Sequence, residues 1–319
     1  MACYASPSTG DTVGEHTHVV EDLVRQAQER RSGVVSSPTV WRRWLAHELT
    51  RLRKEAALER GEVAEKLRCS TQKVGHIETA FVPPKVRDLE EILLPLYGVT
   101  EDRRPYYVQA AKDARRKGWW ESYESEALPE WFSLFVGLEQ GASQIRTYEA
   151  QLIPGLLQTR EYAKAVARRG TAERGQEQIE QHVEVRMSRQ EALFRKDAPL
   201  RLWAVLDEAA LLRVMGDREV MREQLVHLLT VTETPKVTIQ VIPFEHGAHA
   251  GLMGRFQLLD FPWTGDPGIA YIEHRAGALY LEEPGEIEAH TVAFEHLCAL
   301  ALSPDDSATM IESITKEYS

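Results

Sequence analysis

Four side chains in one short stretch, Thr71, Gln72, Lys73 and His76, offer a hydroxyl, a carboxamide, an ammonium and an imidazole. Val74 and Ile77 share one helical face, so these polar groups fall together on the other, too polar for a core. A carboxamide pairs bidentately with adenine and an imidazole donates to guanine N7 or O6, so the row has the chemistry for reading base edges in a DNA groove. Three other groupings invite a chemical reading. His246 and His249, near Glu245 and Asp260, carry zinc-type ligands but sit in a Gly-rich loop without helical zinc spacing, so a surface loop is expected. Asp207-Glu208 ends a strand pattern, where an acidic pair favours the N-terminus of the next helix. Arg186, Arg189 and Gln190 recur at helical spacing and form a candidate ligand set for an anion, with ion pairing inside the domain as the competing expectation. There is no Gly-rich phosphate loop before a helix, no GxSxG and no nucleophile followed by an evident base. No catalytic residue, metal or cofactor is therefore expected, and the chain reads as a non-enzyme.

The elements that must position the first row are legible around it. In Leu58 to Glu78, LERGEVAEKLRCSTQKVGHIE, Ala64 and Leu67 face inward on one short helix. Ser70 stands where a second helix needs an N-cap. Before them a stripe of Trp41, Trp44, Leu45, Leu49, Leu52 and Ala56 predicts a first helix whose other faces carry Arg42, Arg43, Arg51, Arg53 and Lys54. Afterwards Val86, Leu89, Ile92, Leu93 and Leu96 predict a fourth helix that Pro95 should kink or stop. Thr100 is expected to cap a fifth, ending in the basic run 112–117.

This stretch resembles the helix-turn-helix of the Xre family of lambda-repressor-like regulators, on Leu58, Ala64, Leu67, Ser70, Val74 and Ile77-Glu78 in register. The sequence departs from that pattern at Glu59 and Arg60, and Ala57 replaces a common turn glycine. The resemblance implies base reading by Thr71, Gln72 and His76. It also implies that Arg53 and Glu78 pair to brace the motif; were that pair exposed, it would contribute at most about 1 kcal/mol. Arg42, Arg43, Lys54, Arg60, Lys73 and Lys85 are the candidates for phosphate contacts.

A net charge of -11 over 319 residues looks wrong for a partner of DNA until the chain is divided. Residues 39–117 hold 17 Lys and Arg against 12 Asp and Glu, net +5, while 118–319 hold 18 against 32, net -14. A local basic footprint is what a polyanion meets. Cys3, Cys69 and Cys298 are too few and too scattered for a disulfide framework or a CxxC metal site, and no signal-like or membrane-spanning apolar run occurs. A cytoplasmic setting without membrane contact is expected.

Three regions follow: a disordered or weakly helical tail over 1–38, a DNA-binding domain over 39–117 and an α+β domain over 118–319. In the last, helices are expected at 131–139, 142–148, 160–168 and 172–194. Strands are expected at 200–206, 236–244, 255–261, 269–274 and 279–282, and further helices at 208–214, 217–231, 286–302 and 305–316. The fold class is thus mainly α, a five-helix lambda-repressor-like domain followed by a helical and mixed-sheet domain. Pro154 to Thr159 with Glu161-Tyr162, Arg186, Arg189-Gln190, Asp207-Glu208, Gln224-Leu225, Val241 to Phe244 and Tyr271 to Glu273 resemble the long C-terminal domain of unknown function in actinobacterial Xre-type regulators, some labelled antitoxin-like. The expectation is a regulator that binds a double-stranded operator as a homodimer, with a C-terminal domain for dimerisation and for sensing a small-molecule effector or a small acidic protein partner. The alternatives are an antitoxin that holds a toxin through that domain, or an enzyme targeted to DNA.

Overall fold

The computed structural model describes residues 37–123, 128–170, 175–263 and 265–318. The tail expected over 1–38 lies outside the described residues except for its last two. The described chain groups into two compact units, one of 42–112 and one of 37–41 with 113–318.

Among the described residues the first unit takes in all or most of five helices, α1 (Pro38–Glu55), whose first four residues belong to the second unit, α2 (Arg60–Leu67), α3 (Thr71–Glu78), α4 and α5 (Arg104–Asp113), whose last residue does. The α4 segment runs through Val86–Asp88, a π-helical turn Leu89–Leu93 and Leu94–Leu96. Pro95 explains that turn. Its ring would crowd the carbonyl four residues earlier, and widening the helix so that the Leu94 N–H reaches Leu89 O relieves the clash without ending the helix. Leu45, Leu49, Val63, Ala64, Val74, Ile77, Leu89, Leu93 and Leu94 are buried. Thr100 does not cap α5. It heads a turn in which its carbonyl accepts the Arg103 N–H at 3.1 Å. The helix starts at Arg104 with Pro105 in its first turn, where a missing N–H costs nothing.

The second unit contains α6 (Glu130–Gly141), β1 (Gln144–Glu149), α7 (Arg160–Gly170), α8 (Gln176–Gln190), β2 (Arg201–Asp207), α9 (Glu208–Leu212), α10 (Arg218–Thr232) and β3 (Val237–Ile242). It continues with β4 (Phe256–Asp260), β5 (Ile269–His274), β6 (Gly277–Leu281), α11 (Pro284–Leu300) and α12 (Pro304–Glu317). The strands form one mixed sheet in the order β3-β2-β1-β4-β5-β6. β1, β2 and β3 are parallel, joined by helical crossovers, while β4, β5 and β6 are antiparallel. One face packs on α6, α7, α10 and α12 through Ile145, Leu206, Ile239, Leu259 and Tyr271. The other, with Tyr148, Val205, Phe256 and Leu258, is covered by Ile287, Phe294 and Leu297 of α11.

The helix expected at 142–148 is instead β1, paired with both β2 and β4. Buried on both faces, it shows no apolar-polar alternation, and its inward Thr147 and Glu149 are polar. Two glycines four apart on α6 also serve the packing. A Cβ at Gly137 would lie 2.2 Å from Thr39 Oγ1, and one at Gly141 would lie 2.4 Å from Val40, so only glycine lets these two residues of the same unit pack there.

Candidate nucleic-acid interface

Ser70 begins α3 in extended backbone, and its Oγ accepts the Lys73 N–H at 3.2 Å. Val74 and Ile77 turn inward, which leaves Thr71 and Gln72 exposed and Lys73 and His76 half-buried on the outer side. The turn before α3 passes through Arg68 at φ 51, a left-handed position at which Cys69 donates to Ala64 O at 3.0 Å. Ala57, in the preceding turn, likewise sits at φ 53 where glycine would be unstrained. The start of α2 holds together without a hydroxyl cap, because the Glu62 carboxylate accepts the Glu59 N–H at 2.8 Å.

Glu78 at the end of α3 is the hub of the motif. Arg53 donates to it from Nε at 2.6 Å and from Nη2 at 3.2 Å, and also to the Leu58 carbonyl from Nη1 at 2.7 Å. Arg60 adds a third bond at 2.7 Å. The Glu78 side chain is 2 % exposed and that of Arg53 9 %, so this is a buried pair rather than a surface one. It ties α1, the turn after it and α3 into one body.

The cationic candidates fare differently. Lys54 and Lys85 are exposed, and Arg42 and Lys73 are half-buried. Arg60 stays exposed at its outer edge while its Nε is committed to Glu78. Arg43 is a correction: at 4 % exposure it lies with Val40, Ala46 and Leu49 on a buried stripe and does not present a cation to a phosphate. Treating arginine as a surface residue hid this, since its aliphatic stem packs readily. Lys66 and Arg68, both exposed at the end of α2 beside the turn, went unrecognised as phosphate candidates, although their place next to Ser70 in the chain was the signal. Phe81, 74 % exposed, lies 4.9 Å from the His76 ring and fixes the imidazole from one side.

In the second unit the motif Pro154 to Thr159 is pinned from several sides. Gln190 donates to the carbonyls of Gly155 at 3.0 Å and Gln158 at 2.7 Å. Gln224 donates to Leu157 O and accepts from the Thr159 N–H, each at 2.7 Å. Thr159 Oγ1 accepts the Tyr162 N–H at 3.3 Å and starts α7. Arg186 donates to Gln158 Oε1 at 2.7 Å, and burial followed by the neighbouring Arg189 charge pushes its guanidinium down to about 10. Arg189 forms a bidentate pair with Glu139 at 2.6 and 2.7 Å. The candidate ligand set is thus gathered in one place, and its hydrogen bonds run within the domain. Asp207 caps α9 through the Ala209 N–H at 2.9 Å, while His249 lies 3.4 Å from the same carboxylate and accepts the Gly251 N–H on Nδ1. Among the described residues no group of three or more His, Cys, Asp or Glu side chains is placed to hold a metal ion.

The model of a helix-turn-helix domain matches residues 44–106, and that of a domain of unknown function, DUF5753, matches residues 132–313. The chain belongs to the DUF5753 family. Its N-terminal unit is a helix-turn-helix DNA-binding domain, and the DUF5753 domain that follows is the α+β unit just described. No curated protein and no solved structure matches the chain. Among the described residues no helix is long and apolar enough to cross a membrane.

Proposed function

We propose that this DUF5753 protein is a cytoplasmic, sequence-specific transcriptional regulator that places α3 in the major groove of its operator. The observation that carries the reading is the exposed pair Thr71-Gln72 at the N-terminal end of a helix whose other end is anchored by Glu78. Short polar side chains on a fixed helix read base edges, and a fixed helix sets their register. Lys54, Lys73 and Lys85 neutralise phosphates without reading sequence. Gln72→Ala should cost about 1–3 kcal/mol at the operator and little on random DNA, whereas Lys54→Ala should weaken both and flatten the salt dependence. The operator is first selected from a random duplex library, and both variants are then titrated at two salt concentrations. Equal losses on operator and random DNA for Gln72→Ala would remove it from the reading set.

The DUF5753 domain, in the same proposal, dimerises the protein and senses a ligand or a protein partner by binding, without catalysis. One recognition helix reads only a few base pairs, whereas two held about 34 Å apart read both half-sites of a palindrome. The local charge supports this division. Without the acidic region the basic fragment 39–117 should bind random DNA no worse than the intact chain, yet bind the operator poorly. Sedimentation and operator titration of fragment and whole protein check it. A dimeric fragment, or one that binds the operator as tightly as the intact chain, would leave the DUF5753 domain to sensing alone.

A further inference from the structure

On the sheet face covered by α11 there is a cavity of about 310 Å³ among β1, β2, β4 and that helix. Its size is at the small end of ligand sites. Two aromatic rings and a thiol form its apolar part, beside Gln144, Arg146, Asp260 and Glu295. Trp203 meets Phe294 edge to face at 5.8 Å, and its indole N–H is bonded to Gln240 Oε1 at 2.8 Å, so the ring turns only carbon toward the cavity. Gln240 is itself held, donating to Leu302 O at 2.8 Å. Cys298 completes this wall, and burial pushes its thiol up to about 11, so it remains a protonated, weakly polar group.

Against these walls stands one cation. Arg146 lies opposite Trp203 in the β1–β2 register and donates from Nη2 to Asp260 Oδ1 at 3.1 Å. Its Nε is buried and has no hydrogen-bond partner among the described residues. A buried donor without an acceptor costs free energy, and a guanidinium forms its strongest hydrogen bonds with carboxylate oxygens. Gln144 adds a neutral amide; of the two carboxylates that also line the cavity, Asp260 is the one paired with Arg146, and Glu295 is exposed, so solvent screens its charge.

We propose that this cavity is a binding site for a small aromatic carboxylate, its ring against Trp203 and Phe294 and its carboxylate at the Arg146 guanidinium. The proposal names a site for the sensing role and rests on that reading only for its regulatory meaning, since the binding is tested without DNA. The probe is 2-naphthoate, titrated calorimetrically into the full-length protein, with 2-naphthylmethylammonium as the cation of similar shape. Saturable binding of the carboxylate, at least tenfold tighter than the cation, is expected. Bound naphthoate should also slow iodoacetamide alkylation of Cys298 at least fivefold, read by peptide mass spectrometry, while Cys69 in the other unit reacts at an unchanged rate. Arg146→Met should weaken binding at least tenfold, and Cys298→Phe, which fills the space from the helix side, should abolish it with the melting temperature retained. No saturable binding, equal affinity for the cation, or an unprotected Cys298 in the bound protein would overturn the proposal. Loss of operator binding in the Gln72 experiment would leave these results untouched.

Discussion

Glu78→Ala should lower the stability of the DNA-binding unit by about 3 kcal/mol, because removing one partner of a buried ion pair strands the other charge in the core. The side chains of Arg53 and Glu78 are 9 % and 2 % exposed, and Arg53 spends all three of its nitrogens inside the motif, on Glu78 and on Leu58 O. For a domain of 60–100 residues that loss corresponds to a fall of about 12–24 °C in its melting transition. The pair Arg87–Glu91 is the internal comparison. Its side chains are 82 % and 56 % exposed, so solvent screens it and breaking it should leave the melting transition almost unchanged. Calorimetry gives the size of the effect, and amide exchange assigns it: peptides from 42–112 should lose protection while those from 132–313 keep it. A Glu78→Ala protein that melts like Arg87→Ala would show that Arg53 finds other compensation. The double variant Arg53→Met with Glu78→Leu separates two reasons for having the pair. Apolar replacement of both charges is often neutral for stability, so restored melting with lost operator affinity would mean that the pair positions α3 for DNA.

How much of this was legible in the sequence depends on whether a feature is local. The helix α3 was, because Ser70, Val74 and Ile77 carry its cap and its buried stripe within eight residues. So were most strands of the DUF5753 domain; Ile269–His274 falls where its β-branched and aromatic residues place it. β1 was not, because a central strand with both faces buried loses the alternation that betrays a strand, and Thr147 and Glu149 look like surface residues. The Arg53–Glu78 pair spans 25 positions and was reached only through the family resemblance, while Arg60, its third member, carried no signal at all. The cavity beside Trp203 is further out of reach. Its walls come from three strands and a helix distributed between Gln144 and Cys298, and only the sheet order brings them together.

The same distinction between long-range pairs and local ones sets the largest effect expected in the DUF5753 domain. Arg189→Ala should destabilise it by about 3–5 kcal/mol, since Glu139, 1 % exposed, would keep its charge with no partner. At the 2–4 °C per kcal/mol typical of domains of 150–250 residues, the melting transition falls by about 6–20 °C. The guanidinium also lies 5.1 Å and 5.2 Å from the ring centres of Phe132 and Phe135. A lysine there would lose both the planar fork and the stacking, so Arg189→Lys should recover less than half of the loss. Arg186 provides the contrast. It donates to a neutral amide, Gln158, and burial together with the nearby Arg189 disfavours its charge. Arg186→Met should therefore change stability by less than about 1 kcal/mol in either direction, removing a buried cation at the cost of one hydrogen bond. Thermal melting of the three variants at neutral pH decides between two roles for the cluster. A large loss at Arg189 with little change at Arg186 means that Arg189 holds α8 to α6, while Arg186 is the one cation of the pair free to serve something other than the fold. Equal and small losses at both would mean that the Glu139 pair is not what joins these helices, and would favour an anion ligand over ion pairing as the reason for the cluster.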